Sequence, residues 1–124
     1  MCGLPIWLEV VIERPDGPCS RVSLQGMALQ YASSAYGPAG YGAAERIRPR
    51  AEAWRDFLTA LEAAGVWQWA ADYTTPPAGE IIWSVEIAQH FRNISSSGTN
   101  ALPPGDRFAA FCAALGRLLD REIK

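Results

Sequence analysis

The side chains able to do chemistry in this chain are few and far apart. There is a single histidine, His90, and three cysteines, Cys2, Cys19 and Cys112. A general base needs a nucleophile or an orienting acid within hydrogen-bond reach. Only tertiary structure can bring Cys112 to His90. Cys112 also shares the oily side of a helical repeat with Phe108, Phe111 and Leu115, where a small buried thiol is the ordinary state. A Cys–His hydrolase is therefore the last of three functional readings. No Cys-x-x-Cys spacing and no cluster of metal-ligating residues is present, so no catalytic residue, metal or cofactor is assigned. The richer segment is Ser95-Ser96-Ser97-Gly98-Thr99-Asn100. Read as the link between a strand end and the last helix, its hydroxyls, amide and glycine could form a backbone nest for an anion. Arg92 or Arg107 would supply the charge. Arg92, Ser96, Ser97 and Asn100 are the residues assigned to such a small ligand. The plainer alternative is a polar connection whose side chains satisfy their own backbone.

The aromatic residues point elsewhere. Trp54, Trp67, Trp69 and Trp83 fall close together, and Trp7 stands apart. Tryptophan is large and apolar, with one N–H donor, so it centres a core or an interface. The helical spacing of Trp54, Phe57, Leu58 and Leu61 turns that tryptophan inward. Trp7 instead shares the charged face of a strand with Glu9, Val11 and Glu13, and an exposed Trp beside an exposed Val is an interaction patch. Tyr36 and Tyr41 lie in a Gly-rich stretch without period. Trp7, Val11, Tyr36 and Tyr41 are the residues assigned to a partner.

Composition excludes several classes. The net charge is −2 and the pI about 5.3, with no basic stripe, so no nucleic-acid footprint is present. No apolar run is long enough for a transmembrane helix, and no signal peptide is visible, so no membrane role is expected. Three widely spaced cysteines without a leader suit reduced thiols in a cytoplasm.

These residues must be positioned by elements that periodicity outlines. Pro5 to Glu13 alternates as a half-buried strand, and Arg14-Pro15-Asp16-Gly17 reads as a turn with Gly17 at positive φ. A second strand runs from about Arg21 to Tyr31. Its phase changes at Gly26, which suggests a bulge or bend. Residues 32–44 read as a loop. Pro49 suits the first turn of a helix that Gly65 ends. Residues 66–73 fit either a packed helix or an extended segment. Glu80 to Ala88 is a strand, with Phe91 to Ser97 as its hairpin partner. Pro103-Pro104-Gly105-Asp106 starts a last helix, with Asp106 as N-cap. The expected fold is a single α+β domain over 1–124. Its antiparallel sheet would have about four strands in β-β-α-β-β-α order, with two amphipathic helices packed on one face.

Two resemblances rest on short patterns. Met1-Cys2-Gly3 resembles the start of amidotransferases whose N-terminal cysteine is the nucleophile, but the chain is shorter than that fold and lacks the family's Asn-Gly segment. Residues 50–105 resemble a pattern in small bacterial proteins without an assigned activity. The matching residues are Trp54-x-x-Phe57, Trp67-x-Trp69-x-x-x-Tyr73, Gly79-x-x-x-Trp83-x-Val85-x-Ile87 and Ser97-Gly98-x-Asn100-Ala101-x-Pro103. Leu102 stands where that pattern usually has an aromatic residue, and the usual Asp-Gly before Trp83 is absent. The resemblance implies an α+β order and a structural tryptophan framework, and it assigns no site. The expected function is a non-catalytic protein- or peptide-binding accessory domain, of immunity- or antitoxin-like type, with a protein partner or a second copy of itself. A small-anion binder using 92–100 is the alternative.

Overall fold

The computed structural model describes residues 5–26, 28–74, 81–99, 101–103, 105–121 and 123. The strands are β1 (Trp7–Glu13), β2 (Cys19–Gln25), β3 (Ala28–Ser34), β4 (Glu45–Ile47), β5 (Asp72–Thr74), β6 (Ile82–Ala88) and β7 (Asn93–Thr99). The helices are α1 (Ala51–Ala64), between β4 and β5, and α2 (Arg107–Leu119), after β7. Among the described residues the sheet has seven strands in the order β4-β3-β2-β1-β6-β7-β5. It is not the four-stranded antiparallel sheet expected. The pair β5–β7 is parallel, and β1 and β6, far apart in sequence, form the centre.

The added strands have identifiable causes. The phase change at Gly26 is a hairpin, not a bulge. Gln25 registers with Ala28, and Gly26 adopts φ +65 in the connection. A two-residue connection reverses strand parity as a bulge does, so both produce the same pattern of oily residues. The supposed loop 32–44 is strand as far as Ser34, then a 3-10 turn at Pro38–Gly40, and β4 follows at Glu45. Residues 66–73 combine both options left open, a 3-10 turn at Val66–Gln68 and then edge strand β5. Strand β7 reaches Thr99, so the supposed loop at 95–100 is mostly ladder. In the first turn Gly17 does not adopt positive φ; its carbonyl accepts from the N–H of Gly37, which is at φ +88 in the connection after β3, at 2.9 Å. Helix α1 begins at Ala51, after Pro49, and left-handed Gly65 closes it. Asp106 does occupy the N-cap of α2 but makes no side-chain capping bond.

One sheet face is covered. Leu8, Val10 and Ile12 of β1 and Trp83, Val85 and Ile87 of β6 point into a core shared with Trp54, Phe57 and Leu61 of α1 and Phe108, Phe111 and Leu115 of α2. The helices meet through Phe57 and Phe111, whose ring centroids are 6.3 Å apart. Trp83 is the hub, with Trp69, Tyr73 and Phe108 at centroid distances of 5.9, 6.0 and 5.0 Å. Its indole N–H donates to Ala101 O at 2.8 Å. Gly98 lies opposite Trp83 in the ladder, and a Cβ there would stand 2.5 Å from Trp83 Nε1 and 2.5 Å from Tyr73 O. Gly98 thus makes room for the Trp83 ring, and the Ala101 carbonyl accepts the hydrogen bond of its indole N–H. The indole N–H groups of Trp67 and Trp69 have no acceptor among the described residues.

Candidate functional site on the uncovered sheet face

The alternation that buries Leu8, Val10 and Ile12 sends Trp7, Glu9, Val11 and Glu13 to the other face, over which neither helix lies. Pairing extends that face into rows. One row runs Arg46, Gln30, Ser23, Glu9, Glu86 and Ser95 across six strands. The next runs Ala32, Arg21, Val11, Ser84, Ser97 and Asp72. Trp7 registers with Ala88 and Asn93 at one end, and Glu13 with Ile82 and Thr99 at the other. The surface is therefore rich in hydroxyls, with an acidic centre and scattered apolar residues.

The centre carries the least balanced charge. Glu9 and Glu86 are directly opposite, both half-buried, and neither has an ion pair or hydrogen bond among the described residues. Side chains at such positions have Cβ atoms about 5 Å apart, and like charges there are destabilising. Among the described residues no cation is paired with either. Arg46 stands three strands away from Glu9, roughly 14 Å at the usual strand spacing. Arg21 is nearer, but its guanidinium is spent on Glu13 at 2.8 Å.

That neighbouring group forms a clamp. The Tyr41 hydroxyl donates to Glu13 Oε2 at 3.0 Å, and the Arg21 guanidinium lies 4.5 Å from the Tyr41 ring centroid. Burial and then the Glu13 bond raise the Tyr41 phenol well above its ordinary range. The bond from its guanidinium to Glu13 likewise raises Arg21. Tyr41 thereby pins the segment after β3 onto the uncovered face beside Val11, which registers with Arg21. Of the four partner residues assigned from sequence, Trp7, Val11 and Tyr41 share this face, with Trp7 44% exposed. Tyr36 is 85% exposed in the connection after β3.

The residues assigned to an anion do not converge. Ser96 is buried, and its hydroxyl donates to Ala70 O. Ser97 points to the uncovered face, and its N–H donates to Ala71 O at 3.1 Å. Arg92 stacks 4.0 Å from the Trp67 ring centroid and pairs with Glu62 of α1, on the helix side. Asn100 lies outside the described residues. His90 and Cys112 are also apart. His90 sits in the β6–β7 connection beside Phe91, at the Trp7 end of β1. Cys112 faces Arg14, just past the other end.

The largest concavity described is a groove of about 850 Å³ along α2, walled by Leu102, Phe108, Cys112 and Ile123. Two of its arginines are engaged, Arg121 with Glu45 and Arg14 with Pro18 O at 2.9 Å. Burial pushes the Cys112 thiol up to about 11, away from a reactive thiolate. Among the described residues, no three His, Cys, Asp or Glu side chains are grouped to hold a metal ion, and no helix is long and apolar enough to cross a membrane.

Strand alternation in the sequence placed Trp7 and Val11 on one face of β1, as in the folded sheet. It missed the Glu9–Glu86 pair, because β1 and β6 meet only in the folded sheet. It also placed Phe91 in a strand, whereas Phe91 stands 93% exposed in the turn beyond Ala88. No protein-family model, curated protein or solved structure matches the chain.

Proposed function

We propose that this chain is a non-catalytic protein-binding domain, in an accessory role of the immunity- or antitoxin-like kind, and that it recognises its partner through the uncovered face of the sheet. The observation that carries this reading is Trp7, solvent-exposed on the same strand face as half-buried Val11. Aromatic residues of this kind supply most of the energy in protein interfaces, and they cluster where surrounding groups can exclude water. Tyr41 extends the same surface on the β2 side and is held there by Glu13 and Arg21. The connection bearing Tyr36 gives a second, adjacent contact.

Trp7→Ser tests the reading. Co-expression with the products of neighbouring genes, followed by affinity capture, is expected to recover a stoichiometric partner with the native chain and to lose it with Trp7→Ser. Sedimentation of both chains tests the alternative of a second copy as partner. If capture and self-association are the same for both chains, the reading fails.

A further inference from the structure

We infer that the uncovered sheet face receives a cationic segment of a partner protein, with an arginine or lysine side chain entering between Glu9 and Glu86 and an apolar neighbour covering Trp7. This rests on the protein-binding reading and adds the chemistry of the partner. The starting point is the surface as a whole. Its centre is acidic, its one nearby cation is already neutralised by Glu13, and Arg46 stands at the far edge. Each of Ser23, Ser84, Ser95 and Ser97 flanks this centre in the rows of the ladder, offering hydroxyls that can bond to an incoming main chain or side chain.

The Glu9–Glu86 pairing works against the fold that contains it. Two central strands with like charges directly opposite are less stable than the same strands with a neutral pair. A guanidinium placed between the two carboxylates would remove that repulsion and make charge-assisted hydrogen bonds to both. Its planar fork suits two acceptors on adjacent strands better than the single ammonium of lysine does.

The apolar part lies beside it. Trp7 is two residues from Glu9 on the same face, and it registers with Ala88, two residues from Glu86. Ile6 continues this end, its N–H donating to Ala88 O at 2.8 Å, and Phe91 projects from the turn that follows. Ile6, Trp7 and Phe91 are all exposed. An extended segment with a basic and an apolar residue two positions apart, both on one face, therefore meets the acidic pair and the aromatic end in the same spacing.

The test uses the capped peptide acetyl-Leu-Ser-Arg-Ser-Leu-amide, which in extended form carries arginine and leucine on one face two residues apart, with its Gln-for-Arg and Glu-for-Arg counterparts, in an NMR titration of the full chain. The expected result is saturable binding of the arginine peptide alone, with shifts at Glu9, Glu86 and the Trp7 indole, weakening as salt is raised. Glu9→Gln together with Glu86→Gln is expected to weaken binding about tenfold or more while raising the melting temperature, which shows that the variant folds. Trp7→Ser is expected to weaken binding of the arginine peptide and of the native partner alike. If all three peptides bind equally, or the double Gln variant binds as the native chain does, the cationic class is wrong. If Trp7→Ser still abolishes partner capture in that case, the protein-binding reading survives it. Displacement of the arginine peptide by self-association of the chain would also overturn the inference, by assigning the face to a second copy.

Discussion

The two faces of one sheet use tryptophan in opposite ways. On the covered face Trp83 is 1% exposed, its N–H is satisfied by Ala101 O, and three rings pack around it. Every neighbour serves that ring, down to Gly98, whose missing side chain leaves it space. On the uncovered face Trp7 has Glu9 and Ala88 as its ladder neighbours, and no ring packs on it among the contacts described. The first arrangement maximises apolar contact and hydrogen-bond satisfaction, which is what stability requires. The second leaves a large apolar surface and two like charges unresolved, which a folded chain tolerates where something else resolves them. The tryptophan run and the lone tryptophan thus separate scaffold from surface.

Substitutions can break or sharpen that contrast. The largest effect is expected from Trp83→Ala, which should cost about 3–5 kcal/mol in urea unfolding, because a fully buried aromatic leaves a cavity. Gly98→Ala should follow at roughly 1–3 kcal/mol, because the new methyl meets Tyr73 O and Ala101 O, both main-chain atoms that cannot swing aside. Trp7→Ser should change stability by less than about 1 kcal/mol while removing partner capture. A loss as large as that of Trp83→Ala would mean that Trp7 is scaffold and would end the distinction between the faces. Glu86→Gln should raise stability by a few tenths to about 1 kcal/mol, the repulsion having been relieved. A fall in stability would show that the two carboxylates do not oppose each other in solution.

The smallest effect at neutral pH concerns Cys112, and it emerges only in alkali. Its thiol ionises near 9 when unfolded and near 11 when folded, so between those values the folded chain holds a proton that the unfolded chain has lost. Stability should therefore fall as pH rises through this window, and Cys112→Ala should flatten the decline in pH-dependent unfolding.

Some of this was legible in advance. The alternation of Trp7 to Glu13 placed Trp7 and Val11 opposite Leu8, Val10 and Ile12, because strand parity is a local property. The spacing of Trp54, Phe57 and Leu61 and of Phe108, Phe111 and Leu115 outlined both helices for the same reason. Edge strands β4 and β5 span three residues each, too few for a period to register, and they gain their ladder bonds from β3 and β7. The turn at Gly26 and a bulge there reverse parity alike, so pattern alone could not choose between them. The Ser95–Thr99 run resembles a polar loop because β7 presents small polar residues toward both faces, Ser96 and Gly98 on one and Ser95 and Ser97 on the other.

The amino-acid order by itself determined which residues of each element are oily and which are polar, and therefore which tryptophans enter the core and which one stays out. Periodicity is enough for that, since each strand or helix sorts its own side chains. Only the tertiary structure decided which polar residues become neighbours. Glu9 and Glu86 are 77 positions apart in the sequence and adjacent in the sheet, because β1 pairs on one side with its sequence neighbour β2 and on the other with distant β6. Pairing between distant strands depends on the whole core that closes behind them, so the acidic centre of the uncovered face exists only once the helices have covered the other.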